Sequence, residues 1–349
     1  MPSLMLTLET VTPLLMNGAD QTPEIRAASF RGVLRYWLRA VLGGIYQGDI
    51  GELKKAESCY FGSTEAGSPL CVRVEHRLEP ATNRVKYVLP PTVEDHNHPG
   101  QRVPHRHPGF HESTRTAPQR LRLTLDTHPL HSAPTVFTPQ LYAALLLAFH
   151  LGAFGKRSRR GGGVLRVTRI NSNFNLDEQF ENLIRFRAED QANLIEFLDN
   201  SLAPFVQQAQ GFIAHPWPAT PTYPAWVPNH VKVLVGPDGY DDDPQIKAGE
   251  PQPLFREGYR RALQELWDIS GRLDLHHIDD AWGYARGNRR RASAVHLRVH
   301  HGANGLYYPM LTMFRSGPND REWGQLEAFD HELQRRGYRR LAFCTGVWS

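Results

Sequence analysis

The order strand, helix, strand, strand, helix, strand can be read twice along this 349-residue chain, and few folds accept it. In the first half, Leu4, Leu6, Leu8 and Val11 alternate with polar neighbours, which predicts a strand. Phe30, Leu34, Trp37, Leu38, Val41 and Leu42 then recur at helical spacing. Residues 70–78 alternate again, with Val85 to Leu89 as a possible hairpin partner, and so do residues 120–127. Thr138-Pro139 opens an apolar helix to about His150, and Val164 to Ile170 reads as a strand. The second half gives strands at 230–235, 294–299, 306–314 and 341–347, with helices at 253–270 and 320–336. The expected class is α+β, with two ferredoxin-like, RRM-like βαββαβ units. They would occupy residues 1–172 and 230–349. Between them, residues 173–229 read as a connector, with one helix at 183–203 followed by a Pro- and Trp-rich stretch.

The first helix carries the most pointed chemistry. Arg31, Arg35 and Arg39 step by four residues and form a stripe beside the apolar one. Ser29 stands where an N-cap is expected and Arg26 lies just outside it. No Asp or Glu occurs from Ile25 to Gly48. A helix start offers backbone N–H groups and partial positive charge, which suits a phosphate. The plainer alternative is a solvated basic edge on an amphipathic helix.

Two further basic clusters contain no acid. Residues 152–163 hold Lys156, Arg157, Ser158, Arg159 and Arg160 among glycines that end in Gly161, Gly162 and Gly163. Glycines let backbone N–H groups approach an anion, so the stretch has the logic of a phosphate cradle. It lacks the Gly-Lys-Ser/Thr ending of a P-loop and leads into a strand, unlike a dinucleotide fingerprint. The other cluster is Arg286 with Arg289, Arg290 and Arg291. Single-stranded RNA is held by such cationic grooves with planar groups for stacking. Tyr36, Trp37, Phe154, Trp282 and Tyr284 lie beside these clusters, although most such aromatics belong to cores.

Composition narrows the classes. The formal charge of +4 is small, but the basic residues are clustered, and the local field decides phosphate binding. Cys59, Cys71 and Cys344 form no Cys-x-x-Cys pair, which speaks against a zinc ribbon or disulfide scaffold and for a reducing cytoplasm. No signal peptide is read at the start, and the apolar run 141–149 is too short to span a bilayer. Residues 91–119 break all periodicity, with five prolines and five histidines, and are expected to form a mobile inserted loop facing RNA or a partner. Its His-x-His pairs lack a completed ligand set, so no metal and no other cofactor is expected.

The motifs also resemble a known family. Residues 23–40 read Pro-Glu-Ile-Arg-x-x-Ser-x-Arg-Gly-x-Leu-Arg-x-Trp-x-Arg-Ala, and residues 152–163 read Gly-x-Phe-Gly-x-Arg-Ser-Arg-Arg-Gly-x-Gly. Both resemble the repeat-associated mysterious protein (RAMP) superfamily of CRISPR systems. The helix motif is most similar to the subunit-one family of the type III-B Cmr effector complex. The stretch from Trp282 to Ser293 resembles that family's Arg-Arg-x-Ser segment before a strand. Gly162 replaces a common aromatic and Ala294 a usual proline. The resemblance implies a non-catalytic RNA-binding subunit with two RAMP folds. It would sit at the head of the effector near the 3′ part of the guide RNA (crRNA), beside other RAMP subunits. There it would help capture complementary single-stranded target RNA for antiviral defence, with cleavage left to partner subunits. Arg26, Ser29, Arg31 and Arg35 map to the helix motif and Lys156 to Gly163 to the loop.

Two other classes stay open. Some RAMP endoribonucleases process guide precursors by metal-independent acid–base chemistry, and His276, His277, Asp279 and Asp280 offer candidate groups. A scaffold whose basic faces touch only protein is the third.

Overall fold

A computed structural model of the chain describes residues 1–47, 49–81, 85–86, 92–94, 98, 100–104, 106–113, 118–129, 136–211, 223–237, 239–241, 258–273, 283–286, 289–316, 320–346 and 348. Strand β1 (Ser3–Thr10) buries Leu4, Leu6 and Leu8 completely, as its alternation requires. Helix α1 (Ala27–Tyr46) buries Phe30, Leu34, Trp37, Leu38 and Val41. A further helix, α2 (Ile50–Phe61), was not expected from the periodicity. Asp49 caps it by accepting from the Glu52 N–H at 3.0 Å, and Leu53, Tyr60 and Phe61 are buried.

The first sheet is completed by β2 (Leu70–His76), β7 (Arg120–Thr127) and, after helix α3 (Pro139–His150), β8 (Leu165–Ser172). Thr138 caps α3 with its hydroxyl. The strand order is β2-β7-β1-β8, and every neighbouring pair is antiparallel. This is the order of a ferredoxin-like unit.

The hairpin expected between residues 70–78 and 85–89 is not seen among the described residues. β3 (Val85–Lys86) pairs instead with β6 (Arg106–His107), and β4 (Thr92–Glu94) pairs with β5 (Arg102–Pro104). β2 takes β7 as its neighbour, because the Val72–Leu125 and Val74–Leu123 pairs place apolar side chains together. The described part of segment 91–119 thus carries its own short ladders. It is also anchored: Phe110 is buried and exchanges backbone bonds with Leu14, and Glu112 and Ser113 are buried. His96 and His105 lie outside the described residues.

The connector is not one helix. α4 (Glu178–Ile184) and α5 (Gln191–Phe197) each start on an aspartate cap. A π-helical turn, Leu198–Leu202, then leads into α6 (Ala203–Gln210). Pro204 has no N–H to donate, and the widened turn before it absorbs the missing bond.

The second sheet repeats the first. β9 (Val231–Val235) is followed by α7 (Gly258–Arg272), a hairpin of β10 (Gly283–Arg286) and β11 (Arg289–Ala292), then β12 (Val295–His301), β13 (Tyr307–Phe314), α8 (Asp320–Arg335) and β14 (Arg339–Arg340). Its order is β12-β13-β9-β14, again antiparallel throughout. The closing strand is a two-residue one that precedes the expected 341–347, whose described residues form no strand. Asp199 accepts from the Ala342 and Phe343 N–H groups at 2.9 and 3.0 Å and draws the chain off the sheet. The protein is therefore α+β with two four-stranded antiparallel sheets.

β9 is buried on both faces. Val231, Val233 and Val235 join the core that holds α1, α3 and the connector helices, whereas Leu234 joins the core under α7 and α8. Lys232 is fully buried and pairs with Glu327 and with Asp330, the latter at 2.7 Å. That pairing is what permits a lysine there.

Candidate nucleic-acid interface

The start of α1 and the glycine-rich loop after α3 meet across one cleft. Its wall includes Arg26, Ser29, Lys156, Ser158 and Arg159, and no carboxylate among the described residues. Arg26 is the cap residue of α1 and makes no side-chain cap bond. Ser29, expected at the cap, lies inside the first turn, its N–H bonded to the Arg26 carbonyl at 3.0 Å. Arg26 and Lys156 are exposed, and neither side chain bonds another described residue. Two exposed cations and a serine therefore face the opening at a helix start, an arrangement that attracts phosphate oxygens.

Arg159 is held differently. Its guanidinium lies 4.6 Å from the centre of the Tyr36 ring and donates to the Ser293 carbonyl. The Tyr36 hydroxyl in turn bonds His296 Nε2 at 2.9 Å. Burial pushes the Tyr36 phenol up to about 12, and burial with the nearby Arg159 charge holds His296 well below its ordinary value. Tyr36 and His296 are thus neutral at physiological pH, and Arg159 is the charge in this group.

The arginine stripe turns away from the cleft. Residues 26, 29 and 33 share one face of α1, and residues 31 and 35 sit roughly half a turn round from it. Arg35 and Arg39 both pair with the buried carboxylate of Glu57 on α2, and Arg31 donates to the Phe61 carbonyl. The unforeseen helix α2 supplies these partners. The stripe is therefore chiefly a helix–helix clamp.

The glycine loop also departs from a simple phosphate cradle. The Gly162 N–H donates to the Arg157 carbonyl at 3.2 Å and the Gly163 N–H to Pro13 at 2.8 Å, so both are spent within the protein. Gly163 (φ +73°) is required by packing, because a Cβ there would lie 1.8 Å from the Phe154 carbonyl oxygen. A Cβ at Gly161 would strike Leu263 of α7. The loop runs beside the edge strand β12, with the Leu297 N–H donating to the Arg159 carbonyl at 3.0 Å. It covers that edge and joins the two sheets. Arg160 rests on Trp267 at 4.9 Å, and burial, reinforced by the Arg157 charge, lowers its guanidinium to about 10. Arg157 stays exposed at the turn with φ +60°. Phe154 and Trp37 are core.

Arg286 and Arg289 pair by backbone in the β10–β11 hairpin, as do Ala285 and Arg290, and Tyr284 and Arg291; their side chains lie outside the described residues. His276, His277, Asp279, Asp280 and Trp282 are also outside. Among the described residues, no group of three His, Cys, Asp or Glu is placed to hold a metal. No described helix is long and apolar enough to cross a membrane. Sequence reasoning passed over Asn17, Gly32, Val33 and His296, which share the cleft wall. The one visible signal was a glycine inside an otherwise strong helix pattern.

Fold and comparison agree on a class. The RAMP superfamily profile matches residues 7–166, which span the first sheet as far as the start of β8. Residues 7–166 thus match the RAMP superfamily. The chain is related, more narrowly, to the Cmr1 subunits of type III-B Cmr complexes. CRISPR system Cmr subunit Cmr1-2 of Pyrococcus furiosus is 48% identical over 69 residues, 20% of this chain and 37% of the relative. Subunit Cmr1-1 of the same organism is 28% identical over 188 residues, 51% of this chain and 52% of the relative. The matched stretches thus span about half or less of these curated relatives. The crystal structure of apo Cmr1 from Pyrococcus furiosus superposes with a TM-score of 0.59 at 17% identity, covering 97% of this chain and 98% of that one. A chain of the Type III-B Cmr-beta structure bound to cognate target RNA gives 0.55 at 10% identity, covering 90% and 94%.

Proposed function

We propose that this chain is a non-catalytic RNA-binding subunit of a type III-B CRISPR effector, in contact with guide RNA, target RNA and neighbouring RAMP subunits. The observation that carries the reading is the cleft where Arg26 and Lys156 face one opening at the start of α1, with Arg159 in its wall and no carboxylate among the wall's described residues. Such a surface holds a backbone without reading bases, which suits a subunit whose guide sequence varies. The relationship to Cmr1 subunits supports the setting, a position near the 3′ part of the guide, where the chain assists target capture. The expected units at 1–172 and 230–349 would then form the two walls of one RNA path.

The test is affinity against salt for two unrelated single-stranded RNAs. Arg26→Ala and Lys156→Ala should each weaken both RNAs alike. Each lost phosphate contact should flatten the log–log salt slope by about 0.7. Unchanged affinity and slope in folded variants would refute the reading. Metal-independent cleavage of repeat RNA in EDTA would favour the endoribonuclease class instead.

A further inference from the structure

Strand β12 is buried at every position but its last, yet it carries a charge at its centre. Leu297 and Val299 join the core under α7 and α8, so Arg298 and His300 face the opposite way, toward the first sheet. Arg298 is more than nine-tenths buried. Its Nε donates to the Val299 carbonyl at 3.2 Å and its Nη1 to the Gly152 carbonyl, just past α3, at 3.0 Å. Among the described residues, nothing accepts from its Nη2 and no carboxylate pairs with it. Burial alone lowers its guanidinium to about 9, with no acid offsetting it. Lys232, the buried cation of β9, sits instead between Glu327 and Asp330.

A small cavity adjoins Arg298 where α3, β8 and β12 meet, and His150, Arg166, Arg187 and His300 stand in its wall. It measures ≈ 20 Å³. A water needs about 10–15 Å³, so there is room for one water or one monatomic ion and none for a phosphate. Arg166 pairs with Glu9 and donates to His301 Nδ1, each at 2.8 Å, while its buried Nε has no partner among the described residues. His300 Nε2 accepts from the Ala188 N–H at 3.0 Å, which puts the ring proton on Nδ1, a donor with no described acceptor. His150 donates from Nε2 to the Leu183 carbonyl, which leaves its Nδ1 as an acceptor. Donors thus predominate around a buried guanidinium, and no carboxylate stands among the wall's described residues. A buried charge is stable only with a partner.

We infer that this cavity binds one halide ion, chloride in ordinary buffers, held by Arg298 Nη2 and His300 Nδ1 as the counter-charge of Arg298. The ion joins β12 of the second sheet to α3 and β8 of the first, so it stabilises the packing of the two halves. The site is separate from the cleft at the start of α1 and does not depend on RNA binding.

The experiment exchanges sodium gluconate for sodium chloride at fixed ionic strength and pH 7.5 and follows the Tm of the full chain. Chloride should raise Tm along a saturating curve, by about 1–4 °C at tenfold its dissociation constant. Arg298→Gln keeps a donor for the Gly152 carbonyl and removes the charge, so its Tm should not respond to the exchange. Crystals of the parent chain grown in sodium bromide should show an anomalous peak within hydrogen-bond reach of Arg298 Nη2, a readout that does not require the variant to fold. A parent Tm indifferent to chloride, or Arg298→Gln with the parent response, would overturn the site. So would density there without anomalous signal, which would mark a water bridging His300 to His150. A bromide peak without a chloride response in solution would mean binding at crystal concentration only, and would overturn it as well.

Discussion

Acidification should loosen this protein well before its carboxylates titrate, and four buried histidines set the scale; one, His230, is lowered to about 4 by burial and then by the Arg315 charge. His150, His296 and His300 are about nineteen-twentieths buried. Burial, with the Arg298 charge, lowers His150 to about 3, against the opposing bond from its Nε2 to the Leu183 carbonyl at 2.9 Å. His300 is held well below its ordinary value by burial first and then by His150, Arg298, His301 and Arg187 around it. Its Nε2 accepts from the Ala188 N–H at 3.0 Å, so protonation there would destroy the bond. His296 faces Tyr36 and Arg159, as described. In each case the folded pKa lies below the unfolded value near 6.5. The unfolded chain therefore binds more protons as pH falls, and folding is penalised. Stability is complete above about pH 6.5 and declines below it, continuing to about pH 3 for His150. At pH 5.5 each neutral histidine costs between about 1 and 2 kcal/mol relative to the protonating unfolded chain, and the four together several kcal/mol. That is a large share of a typical 5–15 kcal/mol. Urea denaturation at pH 7.5, 6.5 and 5.5 and constant salt would measure it. His300→Gln keeps an acceptor for Ala188 and removes the titration, so it should lose about 1–2 kcal/mol less between pH 7.5 and 5.5. A flat stability profile, or His300→Gln with the parent slope, would refute the reasoning.

Three other outcomes follow from the packing. Lys232→Met should destabilise by about 3–5 kcal/mol in urea melts, because Glu327 and Asp330 lose the buried cation between them, although Arg340 still reaches Asp330 at 2.8 Å. Gly163→Ala should cost about 1–3 kcal/mol from its left-handed backbone alone, with the Phe154 clash in addition, read as a lowered Tm. Glu57→Gln should cost only about 1 kcal/mol, since Arg35 and Arg39 remain well exposed, while strengthening salt-sensitive RNA binding by uncovering two cations on the far face of α1.

The chain's own pattern determined a good deal. Alternation at Leu4, Leu6 and Leu8 and the helical spacing of Phe30, Leu34 and Trp37 are local properties. They set element types, and the twice-read order of those elements then led to two sheets of the same strand order. The motif around Arg26 and Ser29 and the loop from Lys156 were legible for the same reason, since composition and spacing were enough to mark them. What each of those arginines touches was not legible. Arg31, Arg35 and Arg39 are equivalent in sequence to any solvated stripe until α2 brings Glu57 and Phe61 against them. Nor does composition separate a glycine that frees an N–H for phosphate from one that makes room for a carbonyl, and Gly163 proved to be the second kind. The pairing of the α1 start with Lys156 and Arg159, and the placing of Asn17, Gly32 and His296 in the same wall, join residues far apart in the chain. Such contacts depend on how the sheets and helices pack, which is a non-local property, so only the tertiary structure could decide them.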